Sequence, residues 1–147
     1  VKKSSSVIGN QRGFSLIEIM IVLGLIGGIV ALIATRVGNA KGNAMVKQTK
    51  LSIQQTIDLL EQYNQDCNSY PTTTQGLAAL VKQPSGEPPC ESWGPQPYAK
   101  EAPKDAWGTP LAYESDGTDY EIISYGKDRK PGGEGVAKDI SSKNLSK

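Results

Sequence analysis

The 147-residue chain contains no histidine, a single phenylalanine and only two cysteines. Lacking histidine, it lacks the commonest general base and metal ligand. No serine, threonine or cysteine has a base beside it in a nucleophile pattern, and no stretch resembles a phosphate-binding loop. Cys67 and Cys90 are too far apart in sequence for a CxxC redox or zinc motif. Charge of one sign is also missing. Lys and Arg total 16 against 15 Asp and Glu, and three of the basic residues (Lys2, Lys3, Arg12) precede Gly13. The remainder is mildly acidic, with 13 bases against 15 acids, which gives no support for binding nucleic acid.

What the chain does have is one long apolar run. From Phe14 to Ala34 the only charge is Glu18, and about twenty apolar residues suffice to cross a bilayer as a helix. A carboxylate near a bilayer centre costs about 2.5–3.5 kcal/mol on insertion scales, so Glu18 is either a functional group with a partner or a residue reaching back to the headgroups. Basic residues lie on both sides of the run, with Arg36, Lys41, Lys47 and Lys50 following it. Charge counting alone therefore leaves the orientation open.

The junction Arg12-Gly13-Phe14-Ser15-Leu16-Ile17-Glu18 resembles the class III signal of type IV pilins and type II secretion pseudopilins. The resemblance implies a leader at 1–13, cut after Gly13 by a prepilin peptidase that then methylates the new N-terminal Phe14. An ordinary secretory signal is cut after its apolar segment; here the cut falls before it and the mature chain keeps its helix. The resemblance also gives Glu18 a partner, the Phe14 amine of a neighbouring subunit. Two such charges attract strongly between packed helices, whereas either alone is costly to bury.

A hydrophobic transmembrane or filament-core helix is expected over 14–35, with an amphipathic continuation over 36–66. Val46, Thr49, Ile53, Ile57, Leu60 and Tyr63 form one helical stripe. The helix is expected to run from Phe14 to about Gln65, through Thr35, where pilin-like families commonly carry Pro. Gly24 and Gly28 form a small-xxx-small pair suited to close helix contact. The globular part, 67–147, reads as a short helix within 72–81 capped by threonine, a Pro-rich loop, and a hairpin. Its strands are 110–114 and 120–125, around an Asp116-Gly117 turn. Tyr98-Ala99-Lys100 is a candidate third strand. The fold class is α+β, a pilin-like arrangement of one long helix on a small antiparallel sheet. Cys67 and Cys90 are thiols in a reducing compartment and a pair in an oxidising one. A bridge would close a loop of about 24 residues, worth roughly 3 kcal/mol in the chain-entropy model.

Tyr70-Pro71-Thr72-Thr73, Gln75-Gly76-Leu77, Asp105-Ala106-Trp107-Gly108-Thr109-Pro110 and the Gly-rich ending resemble the major pseudopilins of type II secretion, with Ala106 where that family usually has Pro. By residue chemistry alone, the loop 126–139 is a solvated surface loop or a Ca²⁺ site, since Ca²⁺ accepts many backbone carbonyls. The resemblance implies Ca²⁺, with Asp128 and Asp139 as side-chain ligands and carbonyls from Tyr125 and around Val136. Lys138 opposes a cation there. The expected role is a filament subunit held in the bacterial inner membrane with its C-terminal part in the periplasm. Its partners would be further copies of itself, minor pseudopilins, the peptidase, an inner-membrane assembly platform and, indirectly, an outer-membrane secretin and exported proteins. A type IV pilin of a surface fibre is the nearest alternative. A tethered enzyme using Asp105, Asp116 or Asp119 is a remote one.

Overall fold

The computed structural model describes residues 13–145, without the side chains of 35–39; Arg12 and the preceding leader lie outside the described residues. Helix α1 (Leu16–Cys67) contributes to two units that divide between Asn39 and Ala40. In the first, the Ser15 carbonyl accepts the Ile19 N–H at 3.2 Å, and Glu18 lies in the first turn, where the helix dipole favours an acid. The helix continues through Thr35 without a break in its assignment.

In the second unit the predicted stripe of α1 carries the core. Ile53, Leu60, Tyr63 and Thr49 are fully or almost fully buried, and Val46 and Ile57 pack at the edge. Leu77, Leu80, Leu111, Ile122 and Ile140 complete the core from the other elements. The helix closes at Cys67, followed by Asn68 in the left-handed region (φ 55°), which donates its N–H to the Asn64 carbonyl at 2.8 Å. Cys67 and Cys90 form a disulfide with Cα atoms 4.9 Å apart. The Pro-rich loop is pinned further by three side-chain donors. Gln75 Nε2 donates to the Pro88 carbonyl, Gln83 Nε2 to that of Cys90, and Trp93 Nε1 to that of Ala79.

The hairpin forms as the Asp-Gly pair suggests. Strand β1 (Ala112–Ser115) pairs antiparallel with β2 (Tyr120–Ser124), Ser115 opposite Tyr120. Within the turn, Asp116 Oδ1 accepts the N–H groups of Asp119 and Thr118 and the Thr118 hydroxyl. These bonds hold its carboxyl down at about 2.

Three expectations are corrected. The short helix expected within 72–81 forms as a 3₁₀ helix, Leu77–Leu80, with Gly76 and not a threonine at its N-cap. Thr73 is already committed elsewhere, because its hydroxyl and backbone N–H both bond the Ser115 backbone. Tyr98-Ala99-Lys100 is not a strand. The Tyr98 hydroxyl donates to Asp66 at 2.6 Å and its ring meets Trp93 and Tyr63. The third strand is β3 (Ile140–Ser141), paired antiparallel with β2 in the order β1-β2-β3, in a segment read from sequence as a loop end and a polar tail.

Between the 3₁₀ turn and the hairpin lies a tight loop, 103–111, organised by buried Asp105. Its Oδ1 accepts the N–H groups of Trp107 (3.0 Å) and Thr109 (2.8 Å), and its Oδ2 accepts the Ser124 hydroxyl at 2.9 Å. α1 holds the same loop. Ser52 Oγ donates to the Lys104 carbonyl, and buried Thr49 Oγ1 accepts the Ala106 N–H at 3.1 Å. Asp105 is therefore a structural carboxylate.

Asp105→Ala strands two backbone donors and one hydroxyl, each a charge-assisted bond worth up to about 1.5–3 kcal/mol and not additive. We expect a loss of about 3 kcal/mol, read as a lowered urea midpoint of the full chain in detergent. Alkaline pH supplies a second check. Burial, the largest cause in each case, raises Tyr98, Tyr113 and Tyr120 to about 12 from 10.0; Tyr98 is raised also by its bond to Asp66. Their folded values exceed the unfolded one, so their contribution is complete below pH 10 and is lost as pH rises through about 12. Tyrosinate absorbance between these limits should lag behind that of the denatured chain, then catch up as the protein unfolds.

Candidate functional site

Two regions hold the residues singled out in the sequence. The first is the start of α1. Gly13 and Phe14 precede the helix in irregular backbone and are exposed, as is Glu18 one turn in. Leu16–Ala34 has a mean hydropathy of 2.8, and none of it is buried within the chain. Among the described residues no ion pair reaches Glu18. A helix of this composition, apolar on every side, belongs among lipids or other helices.

The second region is the loop from Tyr125 to Asp139, and its geometry starts at Asp105. Ser124 Oγ, which donates to Asp105, also accepts the Gly126 N–H at 3.3 Å. From there the loop turns back on itself. The Lys127 N–H donates to the Val136 carbonyl at 3.0 Å, and the Gly132 N–H donates to Asp139 Oδ2 at 2.9 Å. Gly133, at φ +88°, passes so close to this return that a Cβ would lie 2.5 Å from the Ala137 carbonyl oxygen. No side chain fits there without moving backbone. Val136 then seats on α1 at Gly42, where a Cβ would stand 2.7 Å from Val136 Cγ1. A cleft of about 420 Å³ remains between Val46 and Lys50 of α1 and residues 135–144.

Of the four residues nominated for Ca²⁺, Val136 and Asp139 each take a backbone N–H across this return, from Lys127 and Gly132, and half-buried Tyr125 stands at its start. Asp128 is exposed, with Oδ1 accepting the Lys130 N–H at 3.2 Å. Among the described residues no three acids, histidines or cysteines gather as a metal cluster. One observation does fit a cation. Asp139 Oδ1 is shielded from solvent and has no hydrogen-bond partner, a costly state for a carboxylate oxygen. A hard cation taking that oxygen together with loop carbonyls would satisfy it. Lys138 is exposed and lines the cleft beside Asp139. Nothing in the sequence marked which oxygen of which acid would be orphaned; that follows from the Gly132 N–H claiming its twin.

Asp105, Asp116 and Asp119 do not form a catalytic group. Asp105 is spent on the loop 103–111, Asp116 on its own turn, and exposed Asp119 makes a 3.7 Å ion pair with Lys143.

Comparison with known proteins agrees with this architecture. Residues 36–143 match the family described as type II secretion system, protein G, and residues 8–35 match the prokaryotic N-terminal methylation motif. A type II secretion system core protein G of Pseudomonas aeruginosa is 39% identical over 134 residues, covering 90% of this chain and 94% of that protein. Proteins of the same description from Vibrio cholerae and Escherichia coli K12 are 33% and 34% identical over 137 and 139 residues; they cover 92% and 93% of this chain, and 93% and 94% of their own lengths. The crystal structure of the major pseudopilin from the type 2 secretion system of enterohaemorrhagic E. coli superposes with a TM-score of 0.60 at 30% identity, covering 70% of this chain and 90% of that one. A long helix beginning in a methylation motif, a three-stranded antiparallel sheet and a match over most of the chain place this protein in the type II secretion system protein G family, that of the major pseudopilins.

Proposed function

We propose that this chain is the major subunit of a periplasmic pseudopilus. In this reading monomers rest in the inner membrane and stack into a filament whose growth moves folded proteins toward an outer-membrane channel. The observation that carries it is the first unit, in which Leu16–Ala34 exposes apolar surface on every side beside a methylation motif. Such a surface is not sustained in water. Lipid satisfies it before assembly and the same helix of other copies satisfies it afterwards.

Glu18 sets the register. Cleavage after Gly13 frees an α-amino group on Phe14. In a low-dielectric bundle a carboxylate is stabilised only when a cation meets it, and the amine of the next subunit is that cation. The partners of this reading are further copies of the chain, minor pseudopilins, the prepilin peptidase and an inner-membrane platform. A separate cytoplasmic ATPase supplies the energy. The role is structural, with no reaction at any residue of the chain.

Ca²⁺ at the C-terminal loop is the second part of the reading. Asp139 Oδ1 would be its buried ligand, with carbonyls of Val136 and Tyr125 and the Asp128 carboxylate completing the set. The ion would supply positive charge that draws these oxygens together and fixes the return onto Gly42.

The processing step is tested by the intact mass of the protein from membranes of cells with and without the peptidase. Residues 1–13 should be lost and one methyl gained only when it is present; an unchanged mass in both would overturn the assembly chemistry. Glu18→Ala should still insert in membranes yet yield no filaments. For calcium, titration calorimetry on the full chain in detergent should show binding at millimolar concentration or tighter. Asp139→Ala should weaken it by more than about tenfold, the lower end of what losing even an outer-shell partner costs. Absence of binding by the unsubstituted chain would return the loop to plain solvated surface.

A further inference from the structure

Charge is segregated along this chain. No acid lies between Glu18 and Asp58, and exposed Lys41 and Lys47 fall in that interval. The C-terminal loop returns to the same stretch, with Val136 on Gly42 and the Lys127 N–H bonded to the Val136 carbonyl. It brings exposed Lys127 and Lys138 to the beginning of the folded unit, with exposed Arg129 and Lys130 two and three residues beyond Lys127. Of the acids in the loop, Asp128 and Glu134 are exposed, while Asp139 has one oxygen shielded and the other bonded to Gly132. The rest of residues 40–147 has the opposite balance, eleven acids against six bases.

The chain limits where this surface can go. Gly42 is eight residues beyond Ala34, a reach of at most about 28 Å even if fully extended. Whatever path those residues take, Gly42, on which the loop seats, stays within that reach of the end of the apolar segment. Resting on the reading that Leu16–Ala34 occupies a bilayer before assembly, we infer that this surface docks on anionic phospholipid headgroups where the folded unit emerges. Docking holds the folded unit against the membrane, and extraction into a filament has to break it. Each cation near an anionic surface is worth about 1 kcal/mol, roughly fivefold in occupancy, so a handful suffices to bias the orientation of a tethered domain.

The test is amide hydrogen exchange on the full chain reconstituted in lipid discs, in calcium-saturated buffer throughout. One set of discs contains phosphatidylcholine alone and the other includes phosphatidylglycerol. Amides of 127–138 should exchange at least about tenfold more slowly in the anionic discs. That protection should vanish when salt rises from about 0.1 M to about 1 M, which cuts the screening length from about 10 Å to about 3 Å. Lys127→Gln with Lys130→Gln and Lys138→Gln should abolish it too, and the salt arm, which needs no variant, stands if these substitutions disturb the loop. Equal exchange in both discs, with Leu16–Ala34 protected in each, overturns the docking surface and leaves the membrane reading intact. Exposure of Leu16–Ala34 to exchange in both discs overturns the membrane reading itself, and the docking with it.

Discussion

The folded unit depends on one buried carboxylate. Asp105 fixes the loop 103–111 through Trp107 and Thr109, and its other oxygen holds Ser124 at the end of β2. Ser124 in turn receives Gly126, the first residue of the C-terminal loop, and that loop closes on Gly42 of α1. Since Thr49 of α1 takes the Ala106 N–H, the connections form a ring that starts and ends on the helix. Buried charges are tolerated when every acceptor is used, and here a single acid accepts from three partners on two elements. Hydrophobic burial by Ile53, Leu60 and Ile122 supplies the bulk of the driving force, but apolar contact has no direction. The carboxylate specifies which loop lies on which turn.

Much of this was legible in the residues, and the rest was hidden for definite reasons. The stripe from Val46 to Tyr63 showed because helical periodicity survives in a long window, and the hairpin showed because Asp-Gly supplies its turn. Thr56, buried and bonded to the Ser52 carbonyl, passed unnoticed because a threonine between glutamine and isoleucine looks like surface. β3 was invisible because two residues in a polar segment carry no alternation to read. Tyr98-Ala99-Lys100 misled in the opposite sense: an aromatic beside a small residue has strand character, yet Tyr98 serves to join α1 to the Pro-rich loop. At the sites, Phe14 and Glu18 stood out against an apolar background. The shielded oxygen of Asp139 depends on a backbone donor seven residues away and could not be read from order alone.

The two units obey different physics. In Leu16–Ala34 the apolar residues cover every side, so no face is chosen, and in the proposed filament the single acid alone specifies register. Beyond Ala40 the buried apolar residues of the helix occupy one stripe, and the disulfide and aromatic contacts close what the small core leaves loose. On the proposed reading, a membrane subunit destined for a filament needs both: a helix indifferent to which apolar neighbour it meets, and a domain whose shape stays the same through the exchange. The cationic end of that domain adds a third requirement, since the departure from lipid must be driven against it.

The Ala106–Thr49 bond has a consequence for the history open to this chain. Proline, which the resemblance to major pseudopilins leads one to expect at this position, has no N–H to give. Restoring it here would leave the Thr49 hydroxyl, fully buried on the helix, without the donor it now receives. An apolar residue at 49 would in turn leave the Ala106 N–H without its acceptor, so either change made alone strands one half of the bond. Two positions fifty-seven residues apart are thereby coupled, and a joint change at 49 and 106 is what avoids an orphaned donor or acceptor.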